Sequence, residues 1–292
     1  MDISWDDARL FLAIAEEGSV SAASRSLRIA QPTVSRRLRD LEEALGFALF
    51  QRAHGGTTLT TRGERLLEPA KKMAEWAAEL ARAAEKKQSK PSGVVRVTAP
   101  PGVAYDFLAP FAAWLRGKHP ELRLEVLSAV DYLDLPRGAA DLAIRMRPPA
   151  KDLVVIASVD QSIGVFAAKS YAQKLPKKPV LADIDWIAWA PPFEKLPPTA
   201  HLAAAIPNFR PAFSADDFLV QMAAAEAGAG AIVLGGLRHR FSNSALVRLD
   251  VDIGSSARAR LFLVATKSAL DIPRIRVVAD LLVHEIENAH AW

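Results

Sequence analysis

The stretch Ser19–Arg52, SVSAASRSLRIAQPTVSRRLRDLEEALGFALFQR, reads as two helices joined by a tight corner. Its second helix, Gln31 to Leu45, carries Val34, Leu38, Leu41 and Leu45 at the three-and-four spacing of a buried stripe. Ser35, Arg36 and Arg39 share the outward side, with Thr33 and Arg37 at its margins. A helix of this kind docks on a small core through one face and offers a polar, cationic face to a polyanion. The major groove of DNA is wide enough to admit it.

Working outward, the spacing predicts a helix from Trp5 to Glu17 with Leu10, Phe11, Ile14 and Ala15 inward. Ser4 is placed to cap it, Asp6 and Asp7 to complement its dipole, and Gly18 to end it in the left-handed conformation. Ser19 opens a short helix to Leu27, with Val20, Ala23 and Leu27 inward. Pro32 fits the first turn of the next helix, where a missing N–H costs nothing, and Gly46 stops that helix. Phe47 to Phe50, Arg52 to Gly56 and Thr57 to Thr60 read as two short strands around a glycine turn, a wing.

From residue 1 to 62 there are eight basic and eight acidic residues, yet Arg25 to Arg39 holds five arginines and no acid. A solvated arginine face is the plain alternative. The three-helix context with a wing favours an anionic partner.

Thr61-Arg62-Gly63-Glu64 has the form of a capping box opening a helix to about Lys87. Leu66, Ala70, Met73, Ala77, Leu80 and Ala84 form a heptad seam along it, which predicts a dimerisation arm, bent near Pro69. Lys86 to Gly93, KKQSKPSG, is a hydrophilic hinge and the clearest domain boundary.

Beyond the hinge, strands alternate with helices. Strands are expected at Val94–Thr98, Leu122–Leu127, Asp141–Met146, Leu153–Val159, Ile163–Ala168, Trp186–Trp189, Ala231–Leu234, Leu246–Leu249 and Arg260–Ala265. Helices are expected at Phe107–Lys118, Tyr132–Arg137, Ser170–Leu175, Ala215–Ala227 and Arg274–Asn288. This texture predicts a mainly parallel sheet with helices on both faces, divided into two subdomains around a cleft.

The 292 residues exceed one ordinary domain, half are apolar, and a net charge of +4 leans mildly towards a polyanionic partner. The absence of cysteine removes disulfides, thiolate catalysis and cysteine-ligated zinc. The N-terminal residues lack the pattern of a signal peptide and no long uncharged apolar run occurs, so a soluble cytoplasmic protein without a membrane partner is expected. His54, His119, His201, His239, His284 and His290 show no metal-ligand spacing, and there is no GxSxG elbow or phosphate loop. No cofactor, metal or catalytic residue is expected. Gly228-Ala-Gly230 follows a helix and precedes a strand, the reverse of a dinucleotide-binding turn, so helix capping explains it better.

Along its whole length the chain resembles a LysR-type transcriptional regulator. The resemblance rests on Gly18-Ser19, Ala22-Ala23 and Leu27, on Gln31 to Arg36, on Leu41 to Gly46, on Leu49 to Arg52, and on Leu59-Thr60 with Gly63. More loosely, Leu135 to Ile144 (LPRGAADLAI) and Ala225 to Ile232 (AEAGAGAI) resemble family segments. It implies a winged helix-turn-helix over residues 1–62 and a dimerising linker helix and hinge over 63–90. A periplasmic-binding-protein-like effector domain follows over 91–292, with subdomain I at 91–163 and 266–292 and subdomain II at 164–265. The implied groove-facing residues are Gln31, Pro32, Thr33, Ser35, Arg36 and Arg39, with Arg37, Arg52 and Thr58 on phosphate or the minor groove. The implied partners are double-stranded DNA, further copies of the chain as a dimer or larger assembly, a small-molecule effector and RNA polymerase.

Two positions depart from the family pattern. Ala30 stands where a capping serine or threonine is common, and Gly55 where a second wing arginine falls, with only His54 nearby.

By analogy the effector lies between the subdomains. Pro100, Pro101, Gly102 and Val103 would form one wall, with Ser214 and Asp216 at a helix start forming another. Arg145 and Arg147, on the opposite side of their strand from Leu142, Ile144 and Met146, would suit a small carboxylate. Surface arginines in salt bridges are the alternative, and Trp189 and Phe166 read as core. The alternative functions are a regulator without an effector, an α/β enzyme, or a ligand-binding protein.

Overall fold

The computed structural model describes residues 3–53, 56–84, 91–149, 152–241, 245–254 and 258–291. Two compact units result, Met1–Lys86 with Pro136–Ala139, and Lys87–Leu135 with Ala140–Trp292.

In the first unit α1 (Trp5–Glu17), α2 (Val20–Leu27) and α3 (Gln31–Leu45) precede a hairpin of β1 (Phe50–Ala53) and β2 (Gly56–Leu59), then the long α4 (Thr61–Ala84). Ser4 and Asp7 cap α1 reciprocally, and Ser19 caps α2 through the Ala22 N–H. Gly18 (φ 64°) and Gly46 (φ 75°) end α1 and α3 in the left-handed region. Phe11, Ile14, Ala23, Val34, Leu41 and Leu49 are buried together, each large side chain contributing about 1.5–3 kcal/mol. The first wing strand starts later than expected, because Phe47 N–H still donates to the Glu42 carbonyl at the helix end, while the second starts one residue earlier, at Gly56.

The cap of α4 is Thr60, not Thr61. Its hydroxyl accepts the Gly63 N–H at 3.0 Å and donates to the Ala48 carbonyl at 2.8 Å. Pro69 lies inside α4, which is assigned as one helix throughout Thr61–Ala84. Most of the expected hinge, and both Gly55 and His54, lie outside the described residues.

The second unit begins with β3 (Gly93–Ala99). A helical run follows, made of α5 (Pro101–Val103), a π-helical turn (Ala104–Leu108) and α6 (Ala109–Lys118), so the helix starts six residues before the expected Phe107. After β4 (Leu122–Ser128) the expected helix at Tyr132–Arg137 is a turn, since Pro136 has no N–H to donate and Gly138 takes φ 78°. Then come β5 (Leu142–Arg145) and β6 (Val154–Ala168). Next are α7 (Lys169–Ala172), β7 (Ile187–Trp189), α8 (Thr199–Ala205), β8 (Phe213–Ala215) and α9 (Phe218–Glu226). The unit closes with β9 (Ala231–Arg238), β10 (Leu246–Leu249), β11 (Arg258–Ala265), α10 (Pro273–Glu287) and β12 (His290–Ala291).

The main sheet has the order β12-β9-β6-β11-β5-β3-β4, with β10 also on β6. Among the described residues, β3–β4 and β3–β5 are its parallel pairs; the pairs made by β5, β6, β9 and β11 with one another are antiparallel. The mainly parallel expectation fails because one 15-residue strand, β6, stands where two were expected. The polar run Asp160-Gln161-Ser162 looked like a break, but it stays paired, with Asp160 opposite Arg260 and Ser162 opposite both Arg258 and Gly236. Arg260 grips the Asp160 carboxylate with two hydrogen bonds, at 2.6 and 2.9 Å, and this holds its pKa below the usual carboxylate value.

Two cores flank the strand. Val95, Val97, Phe111, Leu263, Ile275 and Leu282 fill one, around β3, β11, α6 and α10. Val165, Tyr171, Trp186 and Leu202 fill the other, with Phe166, Met222 and Ile232 beside them. The strand β11 pairs with β5 and buries Leu261, Leu263 and Ala265 in the first core.

Candidate nucleic-acid interface and ligand cavity

The candidate surface is carried by α3. Val34 and Leu41 are buried and Leu38 and Leu45 partly so, which turns Gln31, Pro32, Arg36 and Arg39 to solvent, with Thr33 and Ser35 half-buried beside them. Arg37 is the exception, its guanidinium 3.8 Å from the Asp6 carboxylate on α1. Ala30 supplies no side-chain cap. Its carbonyl instead receives the Thr33 and Val34 N–H groups at 2.9 and 3.1 Å, with Pro32 in the first turn.

Arg52 and Thr58 are exposed on the wing, where Arg52 pairs with Thr57 and Thr58 with Gln51. The hairpin is anchored at both ends. Glu42 on α3 accepts the Leu49 and Phe50 N–H groups at 2.6 and 3.2 Å, and Thr57 N–H donates to the Gly18 carbonyl at 2.7 Å. A Cβ at Gly56 would fall on that same carbonyl.

The expected seam of α4 is divided. Leu66, Ala70 and Met73, with Ala74, pack on the helical core of the unit, and Ala77 is half-buried. Leu80 and Ala84 are exposed, and Trp76, which the heptad reading missed, is 72% exposed, as is Leu80. Trp76, Leu80 and Ala84 lie four apart, on one face.

The second unit holds an open cavity of about 980 Å³. Pro100, Pro101, Gly102 and Val103 line it, and so does Arg147. Arg145, Ser214 and Asp216 do not. Arg145 is 8% exposed, donates to the Leu133 carbonyl at 2.6 Å and stacks 4.9 Å over the Tyr132 ring, and its burial lowers its pKa. The strand ends there, and Met146 and Arg147 N–H both turn to the Tyr132 hydroxyl, so alternation no longer places Arg147 beside Arg145. Ser214 sits in β8 rather than at a helix start, and Asp217, not Asp216, caps α9.

Trp189 and Phe166 both line the cavity, although Phe166 also belongs to a core. Further lining residues are Gln161, Thr199, Gln221 and His239. Gln161 falls in the run that was read as a break between two strands, so nothing in the sequence placed it in the cavity wall. The others had no local signal. His239 is held by Asp106, at 2.8 Å, and stacks edge-on to Phe107. Gly228 (φ 83°) ends α9 as expected of a capping glycine, and a Cβ at Gly230 would strike the Asp185 carbonyl.

A winged three-helix unit followed by a long helix and a two-core α/β unit with a cavity defines a helix-turn-helix regulatory protein with an appended binding domain. The chain belongs to the LysR family. Residues 5–64 match the model of the bacterial regulatory helix-turn-helix protein, lysR family, and residues 88–287 match the LysR substrate binding domain.

The Mau operon transcriptional activator of Paracoccus denitrificans is 36% identical over 149 residues, 51% of this chain and 52% of that protein. The chain thus spans about half the length of the curated relatives it matches. Among solved structures, CrgA of Neisseria meningitidis, a LysR-type transcriptional regulator, aligns with a TM-score of 0.54 and 24% identity, covering 97% of this chain and 99% of that one. A full-length OxyR from Pseudomonas aeruginosa aligns at 0.60 and 18%, covering 99% and 96%. At these identities the likeness speaks for the fold. The relatives are named as regulators, not enzymes. No helix among the described residues is long and apolar enough to cross a membrane.

Proposed function

We propose that this chain is a sequence-specific, DNA-binding transcriptional regulator that works as a homo-oligomer and responds to a small molecule bound in the cavity of its second unit. Gln31, Pro32, Thr33, Ser35, Arg36 and Arg39 read base edges and Arg52 and Thr58 hold the backbone. Arg37 has a smaller part, because Asp6 already engages it. Base contacts confer discrimination, about 1–3 kcal/mol for each good pair, whereas phosphate contacts supply much of the affinity.

The observation that carries the reading is the division of α3. Its apolar row is sunk in the core while Gln31, Arg36 and Arg39 stand out on the other side. The module has equal numbers of acidic and basic residues over positions 1–62, so duplication across an oligomer raises its affinity where net charge does not. Trp76, Leu80 and Ala84 form the exposed part of the α4 seam that a second copy covers.

Selection from a pool of randomised DNA duplexes tests the reading. A recurrent motif carried as two half-sites is the expected outcome. A pool that stays random through successive rounds, with binding that depends on salt alone, defeats it.

A further inference from the structure

The cavity separates its polar groups by charge and depth. Arg147, Arg258, Asp131 and Glu226 all line it, and all four are exposed. The deeply buried polar groups are uncharged: Gln161 is 6% exposed, Gln221 3% and Thr199 4%. His239 is committed to Asp106 at 2.8 Å. Around them the walls are apolar, including Ile163, Phe166, Ile187, Trp189, Phe218 and Met222.

The buried amides are not equally engaged. The Gln221 amide nitrogen donates to the Ala215 carbonyl at 2.8 Å, which leaves its oxygen as an acceptor. Thr199 accepts the Trp189 N–H at 2.9 Å, which leaves its hydroxyl proton to give. The Gln161 backbone is paired with β11, but its side chain has no hydrogen-bond partner among the described residues. Its side chain lies over Gly235, where an added Cβ would come within 2.5 Å of the amide oxygen. The missing side chain at Gly235 is what makes room for this amide at the cavity wall. At the cavity wall the amide is free to take a ligand group as its partner in place of water.

We infer that the cavity takes an uncharged, largely apolar molecule carrying a hydroxyl, carbonyl or amide group, which pairs with the Gln161 amide. This rests on the reading of the cavity as the effector site and names the class of effector. A carboxylate taken to the same depth loses its water and meets amides instead of a cation, so the site discriminates against it. An amide can both donate and accept, and therefore suits all three neutral groups.

The probes are matched sets sharing one skeleton, such as benzamide, benzyl alcohol and benzoate, with the corresponding indole and cyclohexyl sets. The full chain carries only four methionines, and 13C-methyl labelling makes each a reporter. Met146 and Met222 line the cavity, while Met73 packs in the first unit and serves as the control. The expected result is that neutral members shift the Met222 methyl resonance and bind at least about tenfold more tightly than their carboxylate counterparts. In Gln161→Leu the preference should collapse to within a few-fold, with the Met73 signal unchanged. Gly235→Ala, which displaces the amide while keeping it, should weaken the neutral probes in the same way.

Carboxylates that bind more tightly and shift Met222 would overturn the inference while leaving the effector site standing. So would an unchanged preference in Gln161→Leu. If no probe of either kind moves Met146 or Met222, both the class and the site reading fail.

Discussion

The Glu42 carboxylate of α3 accepts the backbone N–H of Leu49 at 2.6 Å, and that of Phe50 at 3.2 Å. One side chain on α3 thereby fixes where the wing begins. The hairpin is positioned by α3, and Arg52 and Thr58 inherit that placement.

Removing the carboxylate should therefore loosen the wing more than the helix. In Glu42→Ala two partly buried N–H groups lose their acceptor, which costs about 1–3 kcal/mol. Hydrogen exchange should report a loss of protection at Leu49 and Phe50, with α1 and α2 unchanged, and DNA affinity should fall several-fold. Unaltered exchange at those two amides would contradict the role given to Glu42.

Gly63 offers a test in which two effects have opposite signs. It lies in the first turn of α4, where alanine is ordinarily better than glycine by up to about 1 kcal/mol. Here a Cβ would fall on the Leu49 carbonyl, with the Leu59 side chain 3.0 Å away. Steric conflict with backbone should win, so Gly63→Ala is expected to lower the melting temperature. A variant that melts higher than wild type would show that the wing yields easily.

The first unit was largely legible because its signals are local. The period of Val34, Leu38, Leu41 and Leu45, the Ser4 and Ser19 caps, and the glycines at 18 and 46 each act within a few residues. Where the reading slipped there, the cause was a neighbour remote in sequence. Thr60 outcompetes Thr61 as the cap because its hydroxyl also reaches the Ala48 carbonyl. Half the α4 seam is taken by the unit's own core, so the outward face passes through Trp76.

The second unit was less legible because its pairings are long-range. Nothing near Asp160 announces Arg260, one hundred residues on, yet that pair spans the polar run that looked like a strand break. Arg145 was assigned to the pocket by alternation and by the family analogy. The Leu133 carbonyl and the Tyr132 ring, which hold it elsewhere, come from a segment misread as a helix. Trp189 looked like core because a large aromatic on a short strand ordinarily is.

The exposed face of α4 leads to a prediction about assembly. Trp76 and Leu80 are each 72% exposed, a large apolar area for an unpartnered helix. Replacing both with glutamate should lower the oligomeric order seen by sedimentation equilibrium and weaken DNA binding at least tenfold through lost avidity. An unchanged mass would place the interface elsewhere.

The central claim is that the outward face of α3 reads DNA, and Arg36 is its most direct probe. Fluorescence anisotropy should be recorded over a range of salt with the duplex upstream of the chain's own gene and with a scrambled duplex of equal length. Wild type should prefer the upstream duplex, with affinity falling as salt rises. Arg36→Ala, exposed and free of any role in the core, should lose about 1–3 kcal/mol on the upstream duplex and much less on the scrambled one, while melting as wild type does. Equal affinity of the variant and wild type for the upstream duplex would contradict the account.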